Sequence, residues 1–337
     1  MTASRRASLV RWMANALYYG GLVRPLSMAA GWVSARPAFP ILCYHRVNDD
    51  ADPFFPAVPV GVFERHMAYV ARTFRVMTVE AIVERVRRGS VPRNTLAITF
   101  DDGYRDNLTH AAPILARHGL PATIYLATGL IGTAEVAWFD RMAMAFKTTK
   151  AEAYVTPWRE TLPLATSGDR LRALDRMLGY FKRLPDDDMR RSVDGLLRAL
   201  AVTDQKCFKN LMLTWDDVHA LTGLGFAVGA HTVNHPILAR VPARRAWTEI
   251  FGSRTMIESA LGRAPKAFAY PNGRPEDYTA TVRDLVREAG FTSAVSTRFG
   301  LNDRDTSPYD LRRGGPWERD VPTFALKLAL YRATAAA

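Results

Sequence analysis

The chain has 337 residues, 48% hydrophobic and 23% charged. That is ample material for one large domain or two ordinary ones, and it excludes a disordered or low-complexity chain. Forty-five Lys and Arg against 33 Asp and Glu leave a net charge of +12. Six arginines (Arg5, Arg6, Arg11, Arg24, Arg36, Arg46) precede the first carboxylate, Asp49, so half of the excess lies in the first seventh of the chain.

Arg24 splits the early apolar stretch into two uncharged runs, Trp12 to Val23 and Pro25 to Ala35. Neither reaches the roughly 20 residues a spanning helix needs. Arg11 and Arg24 also interrupt the layout of a cleaved signal peptide. Arginines mixed with Trp12, Tyr18, Tyr19 and Trp32 suit the surface of an anionic leaflet. Residues 1–37 are therefore expected to be either an in-plane membrane anchor or an ordinary helix packed on the domain. Nucleic acid is excluded as a partner, because no zinc-finger spacing, RNA-recognition signature or basic-aromatic repeat accompanies the charge. Cys43 and Cys207 stand too far apart in sequence for a disulfide framework of the secreted kind, which points to a reducing compartment.

From residue 38 onward, short branched apolar runs alternate with helical periodicity, the pattern of a parallel α/β fold. Strands are predicted at Ile41 to Val47, Leu96 to Phe100, Ala122 to Ala127, Phe226 to His231, Ala267 to Pro271, Thr292 to Ser296 and Leu311 to Gly314. Helices are predicted at Val62 to Thr73, Val79 to Arg88, Asn107 to Arg117, Arg244 to Leu261 and Tyr278 to Glu288, most of them stopped by a glycine. Between about 133 and 213 the alternation gives way to charged helices (Trp138 to Lys147, Leu171 to Leu184, Met189 to Leu200), which reads as an insertion in the barrel unit. A further helix starts after Thr214, whose Asp217 three residues on makes a loose capping box.

Four segments fall at the C-terminal ends of predicted strands: His45 in CYHRV, Asp101 and Asp102 in TFDDGY, His231 and His235 in HTVNH, and Pro271 to Gly273 in YPNG. In parallel barrels that edge builds the active site. Adjacent carboxylates at a strand end point apart, so one can bind a cation while the other handles a proton. A DDG alone is commonly just a polar turn. His231 and His235 with Asp102 supply two nitrogens and one carboxylate, the donor set of a catalytic divalent metal with an open position.

TFDDGYRDN, HTVNHP and FAYPNG, in that order after CYHRV, resemble the polysaccharide deacetylase family, also called the NodB-homology domain or carbohydrate esterase family four. The resemblance covers roughly residues 38 to 315. It implies a deformed (β/α)7 barrel, a divalent metal ion, usually zinc, and hydrolysis of N-acetyl groups on amino sugars. Asp102, His231 and His235 would then hold the metal and Asp101 would be the general base. The backbone N–H of Asn272 would help stabilise the oxyanion.

Two positions depart from the family. Ala269 stands where an arginine tether of the base is usual, and Leu311, Arg312, Arg313 replace a Leu-x-His that supplies the general acid. Arginine does not release a proton near neutral pH, so Arg313 is expected to stabilise charge only. His45 is the substitute acid, with Asp101 in a double role as the alternative; a hydrogen-bonded barrel histidine is the bland reading of His45. Tyr104, Asp106 and Asn107 either line the pocket or start a helix, and Trp138, Phe139 and Asp140 form a sugar-stacking wall or pack the insertion.

The expected activity is metal-dependent deacylation of an amino-sugar polysaccharide or lipid-linked saccharide. A non-catalytic carbohydrate-binding barrel and a formamide or cyclic-amide hydrolase are the rival expectations. The expected location is cytoplasmic or peripheral on the inner face of the membrane, with the periplasm left open.

Overall fold

The computed structural model describes residues 3–23, 25, 38–202, 208, 210–315 and 318–333. Arg24, Trp32, Arg36 and Cys207, which figure in the sequence reading, lie outside them. In chain order the elements are α1 (Ala3–Tyr19), β1 (Ile41–Tyr44), α2 (Val60–Thr73), β2 (Arg75–Val76), α3 (Val79–Arg87), β3 (Thr95–Phe100), α4 (Ala112–Arg117) and β4 (Thr123–Leu126). There follow α5 (Trp138–Thr148), β5 (Ala153–Val155), β6 (Thr161–Pro163), α6 (Ser167–Phe181), α7 (Asp186–Ala199) and α8 (Trp215–Gly223). The chain continues with β7 (Ala227–Ala230), α9 (Ala243–Leu261), β8 (Ala267–Ala269), α10 (Ala280–Glu288), β9 (Ser293–Val295) and α11 (Val321–Ala333).

The main sheet is parallel and runs β1-β3-β4-β7-β8-β9, with the short β2 added on β3. Six of the predicted strands are present, five of them shortened and β3 one residue longer than expected at its start. The expected seventh, Leu311 to Gly314, is a single bridge to Val295. It still does a strand's work: Leu311 N–H donates to Ala294 and Gly314 N–H donates to the Ile41 carbonyl, so this segment joins the last strand to the first. The result is a deformed (β/α)7 barrel closed by an irregular seam.

Side-chain alternation divides the barrel into two faces. Leu42, Tyr44, Leu96, Ile98, Phe100, Ile124, Leu126 and Phe268 pack outward under the helices. Ile41, Ala97, Tyr125, Ala267, Ala269, Val295 and Leu311 pack inward. The same period sends Cys43, Thr99 and then Asp101 toward the interior.

The predicted helix over 107–117 opens with a wide turn at Asn107–Ala111 before becoming regular. Pro113 has no N–H and crowds the carbonyl four residues back, which explains the widening. The stretch 138–200 has its own apolar cluster, including Met142, Phe146, Leu174, Met177, Phe181 and Val193. It also contains the antiparallel pair β5-β6, which the sequence reading missed because each strand is only 3 residues long and half exposed.

Thr214 caps α8 as expected: its hydroxyl accepts from Asp217 N–H at 3.1 Å, and the Asp217 carboxylate accepts from Thr214 N–H at 3.0 Å. Thr214→Ala is expected to lower the free energy of unfolding by about 1 kcal/mol, measured by denaturant titration.

Candidate active site

The four strand-end segments converge on one pocket of about 630 Å³ that includes His45, Asp101, Asp102, His231, His235 and Asn272 in its lining. Asp102, His231 and His235 are buried, and their ligand atoms lie within 4.8 Å of one another. The Asp102 Oδ1 atom is 3.5 Å from His231 Nε2 and 3.3 Å from His235 Nε2. His231 Nδ1 is 2.7 Å from the Ala269 carbonyl. A carbonyl can only accept, so Nδ1 carries the proton and the Nε2 lone pair is directed at Asp102.

The two histidines are not on a helix. His231 directly follows β7, and Thr232 and His235 both have left-handed backbone (φ 66° and 55°). Asp102 (φ 74°) and Asn272 (φ 56°) share that conformation, so four of the nine described non-glycine residues with positive φ surround one pocket. Such strain persists only where surrounding contacts fix it. Here Glu249 of α9, buried and not anticipated from sequence, accepts from Val233 N–H at 3.0 Å, Asn234 N–H at 2.8 Å and Asn234 Nδ2 at 2.9 Å. Thr232 Oγ1 accepts from His235 N–H at 3.0 Å. The sequence signal for Glu249 was an acid on the face that a helix shares with Ala246, Ile250 and Ile257.

Asp102 Oδ1 and His235 Nδ1 are buried and lack hydrogen-bond partners among the described residues. An orphaned carboxylate oxygen beside two imidazole nitrogens is the donor set of a divalent transition metal, and the residues present fit one. Burial would raise the Asp102 carboxyl, but the two imidazoles outweigh it and hold it well below the usual range. Burial pushes His235 down, whereas His231 is raised because Asp102 and Asp101 more than offset its burial.

Asp101 lies on the other side of this cluster. Its carboxylate takes both arms of Arg313, Nη1 to Oδ1 at 2.6 Å and Nη2 to Oδ2 at 2.7 Å. Burial would raise Asp101, and the Arg313 charge reverses that and holds it below the usual value. The expectation that Asp101 has lost its arginine tether is therefore corrected: the guanidinium comes from the seam at 313 rather than from position 269. The charge that Arg313 faces is that of Asp101, since the residue is 0% exposed and absent from the pocket lining.

His45 is half exposed at the mouth, with Nε2 4.0 Å from Asp101 Oδ2. It is thus a pocket histidine rather than one sealed in the barrel. Asp106 and Asn107 do not line the pocket. Asn107 Nδ2 donates to the His45 carbonyl at 2.8 Å, and Asp106 accepts from Asn48 at 2.8 Å and faces Arg46 at 3.4 Å, so they brace the loop that carries His45. Asn272 is held in its turn by Thr297, whose hydroxyl donates to the Asn272 carbonyl at 2.7 Å.

The insertion contributes the opposite wall. Trp138 packs in its core, while Phe139 and Asp140 reach the pocket and the Phe139 ring lies edge-on to His235 with centroids 5.2 Å apart. Tyr104 donates to Asp140 Oδ2 at 2.9 Å. Burial pushes the Asp140 carboxyl up to about 7 in spite of that bond, with the nearby Asp102 charge adding to the rise.

The family model described as polysaccharide deacetylase matches residues 88–294. The chain belongs to the polysaccharide deacetylase family. It is 19% identical over 288 residues to a Bacillus subtilis (strain 168) protein named as a polysaccharide deacetylase, an alignment covering 84% of this chain and 74% of that one. Among solved structures it is similar to a Streptococcus pyogenes deacetylase in complex with acetate (18% identity, 88% of this chain and 99% of that one, TM-score 0.59). It is also similar to IcaB from Ammonifex degensii (18% identity, 88% and 97%, TM-score 0.57). These likenesses bear out the parallel, deformed barrel of a deacetylase-type hydrolase.

A carboxyl raised from 3.8 to about 7 on folding binds more protons in the native state across that window. Its contribution to stability therefore falls as pH rises from about 4 to about 7. Asp140→Asn is expected to remove this decline, flattening the pH dependence of the unfolding midpoint over the window relative to wild type.

Proposed function

We propose that this deacetylase removes an N-acetyl group from an amino sugar in a polysaccharide or lipid-linked saccharide, using a divalent metal held by Asp102, His231 and His235. The observation that carries the reading is the pairing of an orphaned Asp102–His231–His235 donor set with a separately held carboxylate, Asp101, in one pocket. Zinc fits the two-nitrogen, one-oxygen set. When bound, the metal supplies Lewis acidity for the carbonyl and for the hydrolytic water.

The chain's own residues do the rest. Asp101 is kept ionised and accepts the proton of the attacking water. His45, 4.0 Å from it, faces the same pocket and delivers a proton to the departing amine. The backbone N–H of Asn272 donates to the developing oxyanion. Phe139 offers an aromatic face to a pyranose ring.

The test is release of acetate or formate from a panel of N-acyl amino-sugar substrates, free and lipid-linked, before and after chelation. Chelation is expected to abolish turnover and added zinc to restore it. Asp101→Asn and His45→Ala are each expected to lower kcat by about 10²- to 10⁴-fold. Retained kcat in the His45 variant would assign proton donation to Asp101 instead.

The proposal extends to an anionic membrane surface as the enzyme's partner. α1 packs against α11, burying Ala14, and leaves Leu9, Met13, Trp12 (68% exposed) and Tyr19 (77% exposed) turned outward. Arg5, Arg6 and Arg11 belong to the same helix, which has no acid. No described helix is long and apolar enough to cross a membrane. Glu318 and Arg319, just before α11, line the pocket, so the helix pair adjoins its rim. Trp12→Glu is expected to weaken co-sedimentation with phosphatidylglycerol vesicles about 10-fold, and wild-type binding is expected to fall with salt. No vesicle binding at low salt, or a change of oligomeric state in Trp12→Glu without one, would reassign the face.

A further inference from the structure

Arg313 is the largest fully buried side chain among the described residues. The barrel interior accommodates it because its neighbours are small: Cys43, Ala97, Thr99, Gly229, Ala267 and Ala269 occupy inward positions on four strands. The limit on bulk is visible at Gly229, where an added Cβ would lie 2.4 Å from the Tyr125 ring and 2.8 Å from the Ala267 carbonyl. Into the remaining space come one ring, Tyr125, and one guanidinium, with Arg313 Cζ 5.5 Å from the ring centroid.

Beyond the two arms on Asp101, Nη1 reaches Thr99 Oγ1 at 3.1 Å and Nε donates to the Ser296 carbonyl at 3.0 Å. The backbone is held as well: Arg313 N–H donates to the Arg298 carbonyl at 3.0 Å, and Gly314 N–H donates to Ile41 at 3.1 Å. A planar fork fixed on one edge by Ser296 and stacked on Tyr125 sets the plane of the carboxylate it grips. Asp101 Oδ2 then has two further neighbours, Cys43 Sγ at 3.7 Å and His45 Nε2 at 4.0 Å.

We infer that Arg313 is the positioning residue of Asp101, and that the barrel seam has taken over the tethering task that Ala269 cannot perform. With an arginine rather than a histidine on the seam, proton donation passes to His45, whose Nε2 faces Asp101 Oδ2. This rests on the reading of Asp101 as base. Arg313 acts through Asp101 and touches no substrate, so its loss affects turnover rather than substrate affinity.

The test compares Arg313→Ala, Arg313→Lys and Asp101→Asn with wild type in acetate release, bound metal and circular dichroism. Arg313→Ala is expected to lose about 100-fold in kcat with KM within about 3-fold, since misplacing a reacting group by an ångström costs that much. Metal content is expected to stay at the wild-type level, and millimolar guanidinium, but not methylammonium, to restore part of kcat. Arg313→Lys keeps a charge but not the fork, and is expected to remain folded and to lose nearly as much.

Wild-type kcat in folded Arg313→Ala, or full activity in Arg313→Lys, would overturn the inference. Loss of metal and secondary structure in both variants without guanidinium rescue would also overturn it, since that is a merely structural role. If Asp101→Asn itself stays active, the base assignment is what fails. If Asp101→Asn is inactive while Arg313→Ala is not, only the tether fails.

Discussion

The buried ion pair between Arg313 and Asp101 is the constraint around which the barrel is built. Two charges withdrawn from water hold only when geometry and additional hydrogen bonds compensate, and breaking one side of such a pair typically costs about 3–5 kcal/mol. The interior meets that requirement with Thr99, the Ser296 carbonyl and the face of Tyr125. Beside the guanidinium it also gives up apolar bulk, using alanine, glycine, cysteine and threonine, while Ile41, Val295 and Leu311 keep branched side chains elsewhere on the inner face.

The Asp102–His231–His235 half of the site follows a different logic. Its donors come from the ends of β3 and β7, far apart in sequence, and are held by backbone in an unfavourable left-handed conformation at Asp102, Thr232 and His235. Packing fixes the first half, whereas backbone N–H groups donating to Glu249 and Thr232 fix the second. Each half of the site therefore has its own support, and the two meet at the adjacent residues 101 and 102.

Much of this was legible in the sequence. Strands were readable from branched apolar runs, and the site from the way chemistry-bearing residues clustered at their C-terminal ends. The Thr214 capping box was readable because both of its members are local. Unreadable features depended on non-local geometry. Nothing near Arg313 signals that its side chain crosses the barrel to Asp101, 212 residues away. Asp106 and Asn107 look like pocket residues but serve as braces for the His45 loop, since their partners lie about 60 residues earlier. The last strand was read as regular because its apolar start resembles one, yet two glycines and two arginines limit it to a bridge.

The seam has a consequence for robustness. Gly314 ties the end of the barrel to its beginning, and the neighbouring residue carries the guanidinium that aligns Asp101. Closure of the cylinder and the orientation of the Asp101 carboxylate therefore depend on the same four-residue segment. On the proposed role of Asp101, turnover would then report on the closure of the barrel as well as on the integrity of the pocket.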